Sequence, residues 1–286
     1  MQNISKVAAI HDLSGIGRCS LTVIIPTLSS MGIQVCPVPT AILSAHTGGF
    51  GDMVLRDLTD YIPSALKHYK LLGEDFDCIY SGFLASKDQI DHCLNFFAAY
   101  PNALKVVDPV MGDDGKPYKT YSQELCDRMS ELVAVADIIT PNITEVSILL
   151  GDKRPADQFS TQEIKSRLVR LSEKGPKIVV ITSVLLADGT RCNVGYDREH
   201  STFWKVPYDY VPANYPGTGD IFSSVLVGSI LKGESLPIAM NRASSFLEVA
   251  IKMTYSYSTD PRNGIMIEKC LDWLSQNPIL RGYEAL

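Results

Sequence analysis

Short apolar runs rich in β-branched residues alternate with helix-period segments along the whole chain. The apolar runs predict strands at Val7–Ile10, Gln34–Val38, Cys78–Ser81, Lys105–Asp108, Asp137–Thr140, Ile178–Thr182 and Cys192–Tyr196, with a further strand at Phe203–Val206. The segments between them predict helices at Arg18–Met31, Gly51–Leu71, Lys87–Ala99, Gln123–Val135, Thr144–Leu150, Thr161–Lys174, Thr218–Lys232, Leu236–Tyr255 and Gly264–Leu274. The strands are continuously apolar rather than alternating, which is the pattern of a mostly parallel sheet covered by helices on both faces. No Gly/Ser/Pro linker, charge block or internal repeat divides residues 1–286. The expected architecture is therefore α/β, a single three-layer α/β/α domain.

In such a sheet, ligands bind beyond the carboxyl ends of the strands. His11, Asp12 and Ser14 follow the first predicted strand, and Ser81-Gly82-Phe83 follows the third. The next leads into Asp108-Pro109-Val110-Met111-Gly112-Asp113-Asp114, and the one after into Thr140-Pro141-Asn142-Ile143-Thr144-Glu145, then Thr182-Ser183. Structural duties explain some of these singly: Asn142 or Thr144 can cap a helix, and Asp108-Pro109 can make a turn. Their repeated collection at one edge favours a binding edge.

Pro216-Gly217-Thr218-Gly219-Asp220 sits between a polar extended segment and an apolar helical stretch. Its glycines allow a tight turn that brings backbone N–H groups close to a ligand, and the helix behind adds the positive end of its dipole. Gly217, Thr218 and Gly219 are thus candidates to stabilise a phosphoryl group in flight. Asp220, in the first helical turn, is the candidate base for an attacking hydroxyl, expected as an exposed group near its ordinary pKa whose value lies in alignment. The alternative is an ordinary glycine turn with a favourable N-terminal charge. Asp108 and Glu145 offer hard oxygen ligands for Mg²⁺, directly or through its waters; the competing reading is a surface carboxylate or a helix-start charge. Asn142 and Thr182 are neutral hydrogen-bonding groups suited to a triphosphate, and equally to a cap or a strand end. Asp113 to Tyr118 is turn-rich, as a flap over phosphates would be.

Composition narrows the partners. A net charge of −6 with no Lys/Arg cluster argues against nucleic acid. Seven scattered cysteines, never spaced C-x-x-C, suit reduced thiols in the cytoplasm. The chain opens directly on Lys6-Val-Ala-Ala-Ile10, too short for a signal-peptide core, and no apolar run has membrane-spanning length, so no membrane partner is expected. There is no G-x-x-x-x-G-K-[S/T], and Ser14-Gly15-Ile16-Gly17 does not continue as G-x-G-x-x-G, which disfavours P-loop and dinucleotide folds. The histidines lack a zinc spacing.

Gly-Thr-Gly-Asp at 217–220, Asp-Pro-Val-Met-Gly-Asp at 108–113 and Thr-Pro-Asn-x-x-Glu at 140–145 resemble the ribokinase superfamily, and within it the pyridoxal (pyridoxamine, pyridoxine) kinase group. The pair His46-Thr47 is similar to that group's substrate loop, and the resemblance runs in order from about Lys6 to Tyr255. It implies a ribokinase-like vitamin B6 kinase that uses ATP with Mg²⁺, often with a monovalent cation such as K⁺, and a homodimer. It also implies ATP contacts from Asp108, Asp113, Tyr118, Asn142, Thr182 and Gly219, and substrate contacts from Asp12, His46, Thr47 and Asp220. Phe83 is a candidate to stack on a pyridine ring or to pack in the core.

One position departs from the group. Asp12 stands where these kinases carry Ser, and Ile10-His-Asp-Leu-Ser-Gly-Ile-Gly17 leans toward the related hydroxymethylpyrimidine kinases. Those enzymes commonly replace the final Asp of the Gly-Thr-Gly-Asp motif by Cys, so Asp220 points back to the pyridoxal kinase group. The alternatives are a hydroxymethylpyrimidine or sugar kinase of the same superfamily, or a non-catalytic binding protein that kept the fold. A mere binder has no need of a base, which argues against the last.

Overall fold

The computed structural model describes residues 4–118, 121–152, 158–276 and 282–286. Its strands are β1 (Lys6–Ile16), β2 (Gln34–Ala45), β3 (Leu55–Asp57), β4 (Cys78–Ser81), β5 (Leu104–Val107), β6 (Gly112–Asp113), β7 (Lys116–Pro117), β8 (Ile138–Ile139), β9 (Ile178–Leu185), β10 (Arg191–Asp197), β11 (Thr202–Pro207) and β12 (Glu284–Ala285). Its helices are α1 (Leu21–Ser30), α2 (Tyr61–Leu72), α3 (Asp88–Ala99), α4 (Gln123–Val135), α5 (Ile143–Leu150), α6 (Thr161–Ser172), α7 (Thr218–Leu231), α8 (Leu236–Ser256) and α9 (Leu271–Ser275).

Ten strands form one sheet in the order β12-β11-β10-β9-β8-β5-β4-β1-β2-β3. The run from β9 to β2 is parallel throughout, and antiparallel strands flank it on both sides. Successive residues of the central strands enter opposite cores, as a period of two requires. Ala8, Ile10, Ile79, Val107 and Ile139 join a core with side chains of α2 to α6, whereas Val7, Ala9, Tyr80, Val106 and Ile138 join one with α1, α7, α8 and α9. Burial on both faces explains the unbroken apolar runs, each fully covered aliphatic side chain contributing about 1.5–3 kcal/mol. The expected three-layer α/β/α arrangement with a mostly parallel central sheet is what the chain adopts.

Several boundaries differ from expectation. β1 and β2 continue well past Ile10 and Val38, pairing as far as Ile16 with Ala45, with an irregularity between His11 and Leu13. Asp12 and Ser14 therefore lie within β1 and not after it; their polarity and the prolines of β2 hid the continuation. The helix expected over Gly51–Leu71 begins only at Tyr61, because Leu55–Asp57 pairs antiparallel with β2. Asp57 then ends the strand by accepting from the backbone N–H and the hydroxyl of Thr59. In place of a helix over Gly264–Leu274 there are two 3₁₀ turns and the short α9, with the chain held to the first loop by Arg18 N–H donating to the Asn263 carbonyl. Helix α1 likewise starts at Leu21 and not Arg18, since Ser20 sits at φ 49°.

Candidate active site

Because β1, β4, β5, β8 and β9 are parallel, their carboxyl ends share one edge, and the first turn of α7 is packed against it. The Ser223 hydroxyl of α7 donates to Thr140 Oγ1 at the end of β8 (2.9 Å), which fixes the helix start over the sheet. Gly217 at the head of α7 has φ 82° and no side chain caps the helix. A Cβ at Gly217 would lie 2.2 Å from the Arg18 carbonyl oxygen, so no other residue fits this turn. The N–H groups of the first turn have no helical carbonyl to donate to, as at the start of any α-helix. Gly219 brings this backbone beside Asp108, whose Oδ2 is 3.8 Å from where a Cβ would stand.

Four carboxylates gather at this edge. Asp12 and Asp108 are 4 % and 6 % exposed, Glu145 is 4 % exposed, and the Asp220 side chain is 13 % exposed. Among the described residues no Lys or Arg forms an ion pair with any of them. Asp220 Oδ2 accepts from the Ser20 backbone N–H (2.8 Å), and Oδ1 lies 4.0 Å from His11 Nδ1. Burial, reinforced by the negative charge of Asp12, pushes the Asp220 carboxyl up to about 7. The expectation of an exposed acid near its ordinary pKa is thereby corrected: the fold desolvates Asp220 and makes it a stronger base. Burial also raises Asp108, with Asp220 as the next cause, and raises Glu145, with Asp108 as the next cause.

Neither Asp108 nor Glu145 is a surface carboxylate. Glu145 does carry helix-start duty: Oε2 accepts from Asn142 N–H (2.8 Å) and Oε1 from Met111 N–H (3.1 Å). Asn142 answers as the cap of α5, its Oδ1 accepting from Glu145 N–H (3.0 Å) while its Nδ2 donates to the Gly112 carbonyl (2.9 Å). Its amide is therefore used within the chain, fastening α5 to the hairpin β6–β7. Thr182, half-buried in β9, bridges to Asn142 beside this cap. Asp113 and Tyr118 lie on the exposed hairpin segment, and the Tyr118 hydroxyl is raised by burial and then by Asp113 and Glu145.

On the other side of Asp220, the Ser14 hydroxyl donates to Asp12 Oδ2 (2.9 Å), and burial raises the Asp12 carboxyl against the pull of Ser20 and Ser14. Phe83 is half-buried and meets the Tyr121 ring edge-on (centroids 5.7 Å apart), packing against the core. His46 is tied at both nitrogens: Nε2–H donates to the Arg262 carbonyl (2.7 Å) and Nδ1 accepts from Gly48 N–H (2.9 Å). It anchors its loop and has no ring nitrogen left for a ligand in this conformation, whereas Thr47 is exposed on the turn it holds. Segments 206–211 and 247–253 are joined by Lys252 Nζ donating to Asp209 Oδ2 (2.9 Å). Ser20 escaped the sequence reading, and His11 entered it only as one of the polar groups after the first predicted strand, with no role of its own.

An α/β/α sheet whose carboxyl edge pairs an open helix N-terminus with buried acids defines a phosphotransferase of the ribokinase type. Residues 25–265 match the phosphomethylpyrimidine kinase model, and the chain belongs to that family. A Bacteroides thetaiotaomicron protein given as a candidate phosphomethylpyrimidine kinase and crystallised with pyridoxal is 44 % identical, with a TM-score of 0.95 over 99 % of this chain and 100 % of its own. Pyridoxal kinase from Lactobacillus plantarum is 30 % identical, with a TM-score of 0.86 over 95 % of this chain and 97 % of its own. The hydroxymethylpyrimidine/phosphomethylpyrimidine kinase of Haemophilus influenzae is 27 % identical over 88 % of this chain and 92 % of its own. These relations put the protein in the pyridoxal kinase group of the ribokinase superfamily.

Proposed function

We propose that the protein transfers the γ-phosphoryl group of ATP to the hydroxymethyl group of a B6 vitamer: pyridoxal, pyridoxamine or pyridoxine. The observation that carries this reading is Asp220, a carboxyl titrating near neutrality at the mouth of an open helix N-terminus. The substrate alcohol loses its proton to Asp220 as its oxygen forms the new bond to phosphorus, and the bond to the β-phosphate bridging oxygen breaks. The N–H groups of Gly217, Thr218 and Gly219 meet the charge on the equatorial oxygens.

Asp108 and Glu145 are buried without a cationic side chain among the described residues, and no group of three or more His, Cys, Asp or Glu among those residues makes a full cage. Such a sparse set of hard oxygens fits Mg²⁺, which keeps several waters and shares the nucleotide's phosphates. When bound, it would neutralise phosphate charge. In this reading the hairpin carrying Asp113, with Tyr118 directly after it, borders the phosphates, and Thr182 contributes at the rim.

Asp12, buried 4 % exposed beside Asp220, suits a ring N–H or an ammonium better than a hydroxyl, so pyridoxamine is the favoured vitamer. Hydroxymethylpyrimidine is the second reading, supported by the family match and by the same Asp12. ADP release from Mg-ATP with pyridoxal, pyridoxamine, pyridoxine and hydroxymethylpyrimidine offered separately tests both. Turnover of a vitamer, with Asp12→Ser lowering the pyridoxamine-to-pyridoxal ratio, is expected. Turnover of the pyrimidine alone would reassign the substrate, and an unchanged ratio in Asp12→Ser would remove that residue from recognition.

A further inference from the structure

His11 is fully buried in β1, and neither ring nitrogen has a hydrogen-bond partner among the described residues. The residue after β4 makes room for the ring: a Cβ at position 82 would lie 2.2 Å from His11 Cε1, so only glycine fits there. Tyr80 meets the ring edge-on with centroids 4.4 Å apart, fixing its plane. Nδ1 lies 4.0 Å from Asp220 Oδ1, longer than a formed hydrogen bond, while Ser20 N–H holds Oδ2 at 2.8 Å. The two oxygens of one carboxylate thus face two different elements.

We infer that His11 is a positioning residue for Asp220, its neutral imidazole presenting Nδ1–H to Oδ1 and so setting which face of the carboxylate meets the substrate alcohol. This rests on the reading of Asp220 as the base. Burial alone lowers the His11 pKa to about 3, so the ring carries one proton and no charge. Of the two neutral tautomers, Nδ1–H points a donor at an anion, whereas Nε2–H would set a nitrogen lone pair against an oxygen lone pair. A cation in this place would neutralise Asp220 and depress its basicity. A neutral donor orients the carboxylate and leaves it basic.

Nitrogen-15 histidine spectra of the intact protein, with the His11 signals identified by their loss in His11→Gln, give a direct test. The expected result is an uncharged Nδ1–H ring from pH 5 to 9 whose Nδ1 resonance moves in Asp220→Asn. An Nε2–H ring, or a resonance indifferent to Asp220→Asn, would overturn the proposal. Kinetics supply a second reading: His11→Leu is expected to lower kcat about tenfold with KM for the alcohol nearly unchanged, and His11→Gln, which keeps an N–H donor, to recover most of it. Parental kcat in folded His11→Leu would also overturn it; if that variant does not fold, the spectra of the parent decide. Full turnover in Asp220→Asn would instead remove the base itself, an outcome that the ring's tautomer and its pairing with Asp220 report separately.

Discussion

Helices α5 and α7 both begin at the carboxyl edge of the sheet, yet their N-termini are finished in opposite ways. At α5, Asn142 and Glu145 form a reciprocal capping box, and the freed Glu145 oxygen takes a further N–H from Met111. At α7, Gly217 supplies no side chain and the acid of the first turn, Asp220, turns toward Ser20 and His11 and away from its own helix. The same dipole is spent on structure in one case and left available in the other. An N-terminus becomes a candidate anion site when its donors are unclaimed, and the residue that keeps them unclaimed here is a glycine with a positive φ.

The sharpest way to break this comparison is Asp220→Asn, which keeps the size and the acceptor for Ser20 N–H. Turnover is expected to fall by about 10²–10⁴-fold while the circular dichroism spectrum is retained; a rate near the parent's would remove Asp220 from catalysis. Gly217→Ala comes next. Its methyl group would collide with the Arg18 carbonyl at a residue held at φ 82°, costing about 1–3 kcal/mol in backbone strain and about 10²-fold in rate through misplaced N–H groups. Unchanged urea stability and unchanged kcat together would show that the turn tolerates a side chain.

Acid–base linkage gives a third measure. Asp220 is raised to about 7 in the folded protein, whereas an unfolded aspartate titrates near about 3.9. Between those values the native state holds a proton that the unfolded state has lost, so this group's contribution to stability falls as pH rises through about 4 to 7. Asp220→Asn is therefore expected to exceed the parent in stability by about 2–4 kcal/mol at pH 8 and to lose the advantage toward pH 4. Thermal or urea melts at both pH values check this, and an advantage that does not shrink in acid would contradict the raised pKa. The smallest effect belongs to the closed helix start: Asn142→Ala is expected to cost about 1–2 kcal/mol and to change kcat far less than either α7 variant. A loss of turnover as deep as that of Asp220→Asn would put the amide of Asn142 in contact with the nucleotide after all.

Much of this was legible in the chain. Cys78–Ser81 and Gln123–Val135 fall where periodicity put them, because a strand buried on both faces and an amphipathic helix each leave a local signature. The projecting ends of β1 and β2 left none, since His11, Asp12, Ser14 and the prolines of β2 contradict a strand locally and are overruled by pairing with each other. Met53, Val54 and Leu55 lent a helical look to a stretch in which Val54 and Leu55 stay exposed on an edge.

The motifs at 108–113, 140–145 and 217–220, with the parallel α/β order, indicated the class of enzyme through their resemblance to the ribokinase superfamily. The chemical state of those residues was decided only by the tertiary structure. Asp220 is raised because elements distant in the chain bury it, with Ser20 and Asp12 beside it; the cap that Asn142 forms with Glu145 is local, and only its hold on the Gly112 carbonyl is tertiary. Desolvation of a carboxylate depends on elements far apart in the chain, and no local pattern encodes it.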